Sequence, residues 1–207
     1  KLCKMITDQQ IKMIFLSSGG TVYGNQEIQP ITEDALPRPI NHYGNVKLCI
    51  ENTIRTFNYQ AHTKILIARI SNPYGPGQDF NKGVGFIDAA IKKTIRSEKI
   101  EIWGDGNNVR DYIYIDDVCR MLISLFYYQE DYDTFNISSN TGTSQRDVIR
   151  MLEAMQLAPQ VEYLPARSVD AKKIILNNER IMSIHAVPLV PVEQGIRKYY
   201  QWLKKEI

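Results

Sequence analysis

The chain has 207 residues, 43% of them hydrophobic and 23% charged, with a formal net charge of +2 at pH 7. These are ordinary values for a globular protein with a real core, and the near balance of charge lacks the basic field that nucleic-acid binding shows. No apolar run approaches the roughly 20 residues needed to cross a bilayer, and no signal peptide is visible. Neither nucleic acid nor membrane is an expected partner.

Three cysteines, Cys3, Cys49 and Cys119, are odd in number and far apart. This argues against a disulfide framework or a zinc site and for a reducing, cytoplasmic compartment. Cys49 and Cys119 fall in predicted helices, where packing is their expected role. The histidines His42, His62 and His185 have no ligand spacing, so no metal is expected.

In chain order, residues 11–17 read as a short strand ending in Ser and Gly. From about Tyr43 to Tyr59, Val46, Ile50, Ile54 and Phe57 recur at helical spacing and are expected to face a sheet. A second apolar stripe runs through Leu48 and Cys49. Residues 64–70 form another strand, so the three segments make a βαβ unit of a parallel sheet. A helix is predicted over 85–97, a short strand at Glu101–Trp103 and another at Tyr112–Ile115. Asp116 and Asp117 then open a helix as caps rather than catalysts. Asp133–Ile137 reads as a core strand. Ser144, with Asp147 three residues on, caps the next helix. A strand at Glu162–Leu164 and helices near 177–184 and 192–205 complete the chain.

Residues four apart share a helix face, so Lys47 is expected to hold its ammonium beside the phenol of Tyr43. A nearby positive charge favours the ionised phenol and makes Tyr43 a plausible proton-transfer group. The spacing alone is weak, since the chain holds 12 tyrosines and repeats the pattern at Tyr200 and Lys204. Context separates them. Ligands bind beyond the carboxyl ends of parallel strands, where Ser18, Thr21, Asn72, Pro73 and the start of the Tyr43 helix collect. Tyr200 lies in a terminal helix with Trp202 and Leu203 and reads as packing.

Four motifs occur in one order: Ser17-Ser18-Gly19-Gly20-Thr21-Val22-Tyr23-Gly24, Tyr43-x-x-x-Lys47, Arg69-Ile70-Ser71-Asn72-Pro73-Tyr74-Gly75-Pro76-Gly77, and Trp103-Gly104-Asp105-Gly106-Asn107-Asn108-Val109-Arg110-Asp111-Tyr112. The series resembles the extended short-chain dehydrogenase/reductases, specifically the NAD-dependent nucleotide-sugar epimerase/dehydratase family, and most of all its UDP-glucose 4-epimerase branch. The resemblance runs from about residue 11 to the end.

It implies an α/β fold with a Rossmann-like, doubly wound parallel sheet and a small α/β substrate-binding domain. Residues 1–80, with segments returning near 110–137, would belong to the NAD-binding domain, and 81–207 mainly to the nucleotide-sugar domain. It implies NAD as cofactor, with contacts at Ser17, Tyr43, Lys47, Ile70 and Pro73. In the implied reaction Tyr43 takes a proton from a sugar hydroxyl while hydride leaves the same carbon for NAD. The keto-sugar then turns and is reduced on its other face. Family members add a hydroxyl at the position of Gly19. Its absence leaves Thr21 or Ser18 to substitute, with Thr21 slightly preferred. The dehydratase branch carries Asp-Glu where Gly20 and Thr21 stand, so dehydration is not expected and epimerisation is.

For the substrate, the resemblance implies Asn72, Arg110, Arg167 and Asp170 at the diphosphate and ribose, with Trp103 beside them; arginine's planar fork suits phosphate. Without it, Arg110 reads as a surface partner of Asp111 or Asp105. Ile174 stands where the family often has a bulky aromatic that limits room at the sugar 2-substituent, so an N-acetyl sugar remains open. Family members commonly form homodimers through the helix that carries the Tyr-x-x-x-Lys pair.

The early residues hold no Gly-rich phosphate turn of the kind that opens a dinucleotide-binding unit. The expectation is that the first half of the cofactor domain, about 100 residues at roughly 30 per βαβ unit, lies outside this sequence. The chain alone would then bind NAD poorly. Two other readings stand beside epimerisation: a nucleotide-sugar reductase or decarboxylase, and a non-catalytic nucleotide-sugar-binding fragment.

Overall fold

A computed structural model describes residues 2–8, 11–78, 85–166 and 171–206. A short helix, α1 (Leu2–Asp8), precedes strand β1 (Ile14–Ser18), which runs directly into a single helical turn, α2 (Gly19–Val22). A long loop leads to α3 (His42–Ala61) and then to β2 (Leu66–Ile70) and β3 (Asn72–Tyr74). The second half contributes α4 (Phe86–Ile95), β4 (Lys99–Trp103), β5 (Val109–Tyr114), α5 (Ile115–Tyr127), β6 (Thr134–Ile137) and β7 (Gly142–Ser144). It closes with α6 (Gln145–Ala154), β8 (Gln160–Leu164), β9 (Lys173–Ile174), α7 (Glu179–Met182) and α8 (Val192–Glu206).

Strands β1, β2 and β6 form a parallel sheet in that order, with Ser18 level with Ile70 and Ile70 level with Ile137. Parallel pairing puts all three carboxyl ends on one edge, where ligands of such sheets bind. A second sheet pairs β3 and β9 parallel to β5 and β7 antiparallel to it; β4 and β8 form a separate parallel pair. This is the expected α/β architecture with parallel sheets.

Helix α3 matches its predicted span. The C-terminal half of its expected face is covered as predicted, with Ile54 buried against Ile65 and Ile67 and Phe57 packed beside them, but the N-terminal half is not. Gly44, Glu51 and Ile54 are buried, whereas Val46 and Ile50 are exposed. Periodicity shows which residues share a face, not which face is covered. Glu51 can be the covered one because its charge is matched inside, as described below. Cys49 and Cys119 lie in α3 and α5 as expected but are exposed, so neither packs in the core. Asp117 is not a cap. It is buried, pairs with Arg120 and accepts from the Val190 amide at 2.9 Å, bracing α5 against the approach to α8. The Ser144 cap is as expected, with the reciprocal bond from Ser144 N–H to the Asp147 carboxylate also present.

Two main clusters of buried side chains divide the fold. One holds β2, β6 and α5 together through Leu66, Ala68, Phe135, Met121 and Leu125. The other joins α4, α6 and α8 to β4 and β5 through Ile91, Ile102, Leu152, Ile196 and Tyr199. Burying each of the Leu, Ile, Phe and Met side chains among these contributes about 1.5–3 kcal/mol. Among the described residues no helix is long and apolar enough to cross a membrane.

Candidate active site

The site is built around the turn that follows β1. Gly19 begins α2, and a Cβ there would lie 2.3 Å from Leu176 Cδ1 and 3.0 Å from the Arg69 carbonyl. A side chain at 19 would have to displace its neighbours, which is a local physical reason for the missing hydroxyl. Gly24 has φ of +63°, and a Cβ there would meet the Arg38 carbonyl at 1.9 Å, so only glycine closes this turn.

Helix α3 starts on this turn. The Asn41 side chain caps it by accepting from the Gly44 amide at 2.8 Å. Gly44 lets α3 approach the backbone of α2, since a Cβ there would sit 2.6 Å from the Thr21 carbonyl. The contact fixes the neighbouring Tyr43, which is 57% exposed. Lys47 holds its Nζ 5.6 Å from the centre of the Tyr43 ring and 5.0 Å from that of Phe15, and donates to the Leu16 carbonyl at 2.8 Å. Ser18 precedes α2 without capping it by its side chain, and Thr21 Oγ1 reaches the Ser18 carbonyl only at 3.5 Å.

On the other side of the turn, a Cβ on Gly20 would lie 3.6 Å from Asn72 Oδ1. Asn72 in turn donates to the Asp111 carbonyl at 3.0 Å. Asn72, Pro73, Tyr74, Asp88, Arg110 and Tyr112 are among the residues lining a cavity of about 260 Å³. The Tyr43 helix, the Gly-rich turn and the Arg110 cavity are therefore contiguous. Burial raises the Tyr112 phenol to about 12 and pushes that of Tyr74 up as well. Both stay protonated at neutral pH and cannot act as bases, and the Tyr74 hydroxyl already donates to the Val192 carbonyl at 3.1 Å.

Behind the turn lies a buried ionic cluster. Glu51 accepts from Arg69 Nη2 at 2.7 Å, from Arg69 Nε at 3.1 Å, from Arg55 at 3.0 Å and from Ser17 Oγ. Burial opposes the Glu51 charge, but the Arg69 bonds outweigh it and hold the carboxyl below its usual range. Burial likewise opposes the Arg69 charge, and Glu51 outweighs it there too. The Arg69 guanidinium sits 4.7 Å from the centre of the Tyr23 ring, and Tyr23 donates to Asn136 Oδ1 at 2.7 Å.

Several expected residues are placed otherwise. Ser17 is buried with its hydroxyl on Glu51, so this side chain is not presented to a cofactor. Pro73 lines the cavity beside Arg110, and Ile70 packs partly against the β2–β6 core. Trp103 ends β4 level with Leu164 and is not among the residues lining the cavity. Ile174 is buried with Val22, Tyr23 and Leu176 under the turn rather than on the cavity wall. Arg167 and Asp170 lie outside the described residues.

Asp111 is no surface partner of Arg110. It is buried and accepts from Ser139 N at 2.9 Å, Ser139 Oγ at 2.8 Å, Asn140 N at 3.1 Å and Leu176 N at 3.2 Å. Burial raises its carboxyl to about 6 against the pull of these donors. Asp105 binds Asn107 at 2.9 Å instead. Sequence reasoning missed Glu51 and Asn41, although Asn directly before a helical stretch is a readable cap signal.

The family model for the NAD dependent epimerase/dehydratase family matches residues 1–138. The chain belongs to that family. It is 33% identical over 189 residues to dTDP-4-dehydro-6-deoxyglucose reductase of Escherichia coli, covering 90% of this chain and 60% of that protein. It is 26% identical over 197 residues to UDP-glucose 4-epimerase of Mycolicibacterium smegmatis, covering 94% of this chain and 63% of that protein. The crystal structure of UDP-glucose 4-epimerase from Thermotoga maritima with UDP-glucose superposes with a TM-score of 0.91 at 30% identity, over 99% of this chain and 67% of that one. The chain thus spans about three fifths of the length of these two curated relatives.

The family's cofactor is NAD. The exposed Tyr43 phenol and the Lys47 ammonium, held beside β1 by its bond to the Leu16 carbonyl, suit a polar, anionic dinucleotide bound at the carboxyl edge of the sheet.

Proposed function

We propose that this chain carries the catalytic and substrate-binding part of a nucleotide-sugar 4-epimerase acting on a UDP-sugar. The observation that supports it is the contiguity of the exposed Tyr43–Lys47 pair, the Gly-rich turn and the Arg110 cavity. Tyr43 and Lys47 would hold NAD, which would supply the hydride acceptor and donor for the sugar carbon.

The chain's own residues do the rest. Tyr43 takes the proton from the reacting hydroxyl and gives it back, while the Lys47 charge beside the ring stabilises the phenolate. Tyr43 and Lys47 would also hold the nicotinamide ribose. Ser18 or Thr21 supplies the hydroxyl that steadies the reacting oxygen. Thr21 is slightly preferred, its hydroxyl reaching the Ser18 carbonyl only at 3.5 Å. Arg110, with Asn72 beside it, holds the diphosphate by charge-assisted bonds, and Arg167 and Asp170 are retained as further substrate contacts. Gly20 and Thr21 offer no carboxyl group to expel water, which disfavours dehydration.

In this reading residues 1–80 serve the cofactor and 81–207 mainly the nucleotide sugar. The expected compartment is the cytoplasm. The expected assembly is a homodimer through the exposed Val46 and Ile50 face of α3. A reductase uses the same Tyr–Lys couple, and the 33% identity to a reductase favours keeping it as a second reading. Incubation of the protein from its complete reading frame with NAD and UDP-glucose, followed by proton NMR of the products, tests the proposal. Interconversion of UDP-hexoses is expected. Failure to interconvert any UDP-hexose, plain or N-acetylated, would contradict it.

A further inference from the structure

Tyr43, Lys47 and Glu51 lie four residues apart on α3. Each step of four advances about 40° around the helix, so such a stripe winds slowly from one side to another. Here it winds from solvent into the core: Tyr43 is exposed, Lys47 half-buried and Glu51 fully buried. The two inner members of the stripe both hold β1. Lys47 donates to the carbonyl of Leu16, and Glu51 accepts from the hydroxyl of Ser17, the next residue.

Both Glu51 oxygens are fully engaged. Oε1 takes Ser17 Oγ and Arg69 Nε, and Oε2 takes Arg69 Nη2 and Arg55 Nη2. These four donors come from β1, β2 and α3, the three elements whose ends meet at the site. Arg69 carries the constraint onward by stacking over Tyr23, which closes the Gly-rich turn and is tied to β6 through Asn136. A carboxylate with its acceptor sites filled has one arrangement available, and an amide in its place would turn a donor group toward donors.

We propose that Glu51 is a positioning residue: with Arg69 it sets the register of α3 on β1, and so the placement of Tyr43 over the Ser18–Thr21 turn. This rests on the reading of Tyr43 as the proton-transfer group. A buried ion pair is by itself weak grounds for a stabilising role, since an apolar pair of similar volume often serves as well. That separates positioning from mere stability.

The test compares wild type, Glu51→Gln, and the double variant Glu51→Leu, Arg69→Met, each expressed from the complete reading frame. The single variant is expected to melt lower and to lose about 100-fold in kcat, the scale set by a displacement near 1 Å, with KM little changed. The double variant is expected to regain its melting temperature but not its kcat. Hydrogen exchange of residues 17–23 and 42–47 in the ligand-free protein, relative to residues 86–95, gives a readout independent of turnover. It should stay faster than wild type in the double variant. A double variant that regains both stability and wild-type exchange at 17–23 and 42–47 would overturn the proposal, even if the epimerase reading itself fails.

Discussion

The Nζ of Lys47 lies 5.6 Å from the centre of the Tyr43 ring, and that of Lys204 lies 5.7 Å from the Tyr200 ring in α8. The two pairs are geometrically alike, so helical spacing does not make a catalytic couple. Surroundings do. Lys47 also holds the Leu16 carbonyl in the middle of β1, and Tyr43 adjoins a turn whose Gly20 neighbours Asn72 of the Arg110 cavity. Tyr200 instead packs partly against the core formed by α4, α6 and α8.

Glycines on the two sides of the turn should respond differently to alanine. At Gly44 a Cβ would press on the Thr21 carbonyl at 2.6 Å, whereas at Gly20 its nearest neighbour is Asn72 Oδ1 at 3.6 Å. Alanine is the better helix former by about 1 kcal/mol, so propensity alone favours Gly44→Ala. Overpacking of about 1–3 kcal/mol should reverse that sign. Thermal melts are expected to show Gly44→Ala lowered and Gly20→Ala close to wild type; equal melts would remove the close approach of α3 from the account.

Asp111 predicts a pH dependence of stability. Burial raises its folded value to about 6 from an ordinary 3.8. The folded state therefore holds this proton more tightly than the unfolded chain does. The contribution is fully present below about pH 4 and is lost as pH rises toward 6, by about 3 kcal/mol at most. Urea melts from pH 4 to 7 should show wild type losing stability relative to Asp111→Asn across that window. Parallel curves would contradict it.

Arg110 should act on affinity. Losing its charge-assisted bonds costs about 1.5–3 kcal/mol, or roughly 10- to 100-fold in Kd for a UDP-sugar. Calorimetry of Arg110→Ala is expected to show that loss with the melting temperature little moved. Unchanged affinity would take Arg110 out of the diphosphate site.

Much of this was legible from local pattern. The first strand, read at 11–17 and found at Ile14–Ser18, the span of α3 and the Ser144–Asp147 box each depend on neighbours in sequence, and each was readable. The burial of Glu51 on α3 was not, because its charge is tolerated inside through Arg69 and Ser17, each on a strand of the sheet. Ile174 and Asp111 went astray for the same reason: Ile174 is claimed by Val22 and Leu176, and Asp111 by amides from Ser139, Asn140 and Leu176. Those partners are distant in the chain, and only the fold brings them together.

The most direct measurement is the activity of Tyr43→Phe, made in the protein from the complete reading frame with NAD present, beside Tyr200→Phe as a control. Loss of the proton-transfer group should lower UDP-hexose interconversion by about 10²- to 10⁴-fold, leave UDP-sugar affinity near wild type, and leave Tyr200→Phe fully active. Turnover by Tyr43→Phe close to that of wild type would contradict the assignment of Tyr43 and the site built around it.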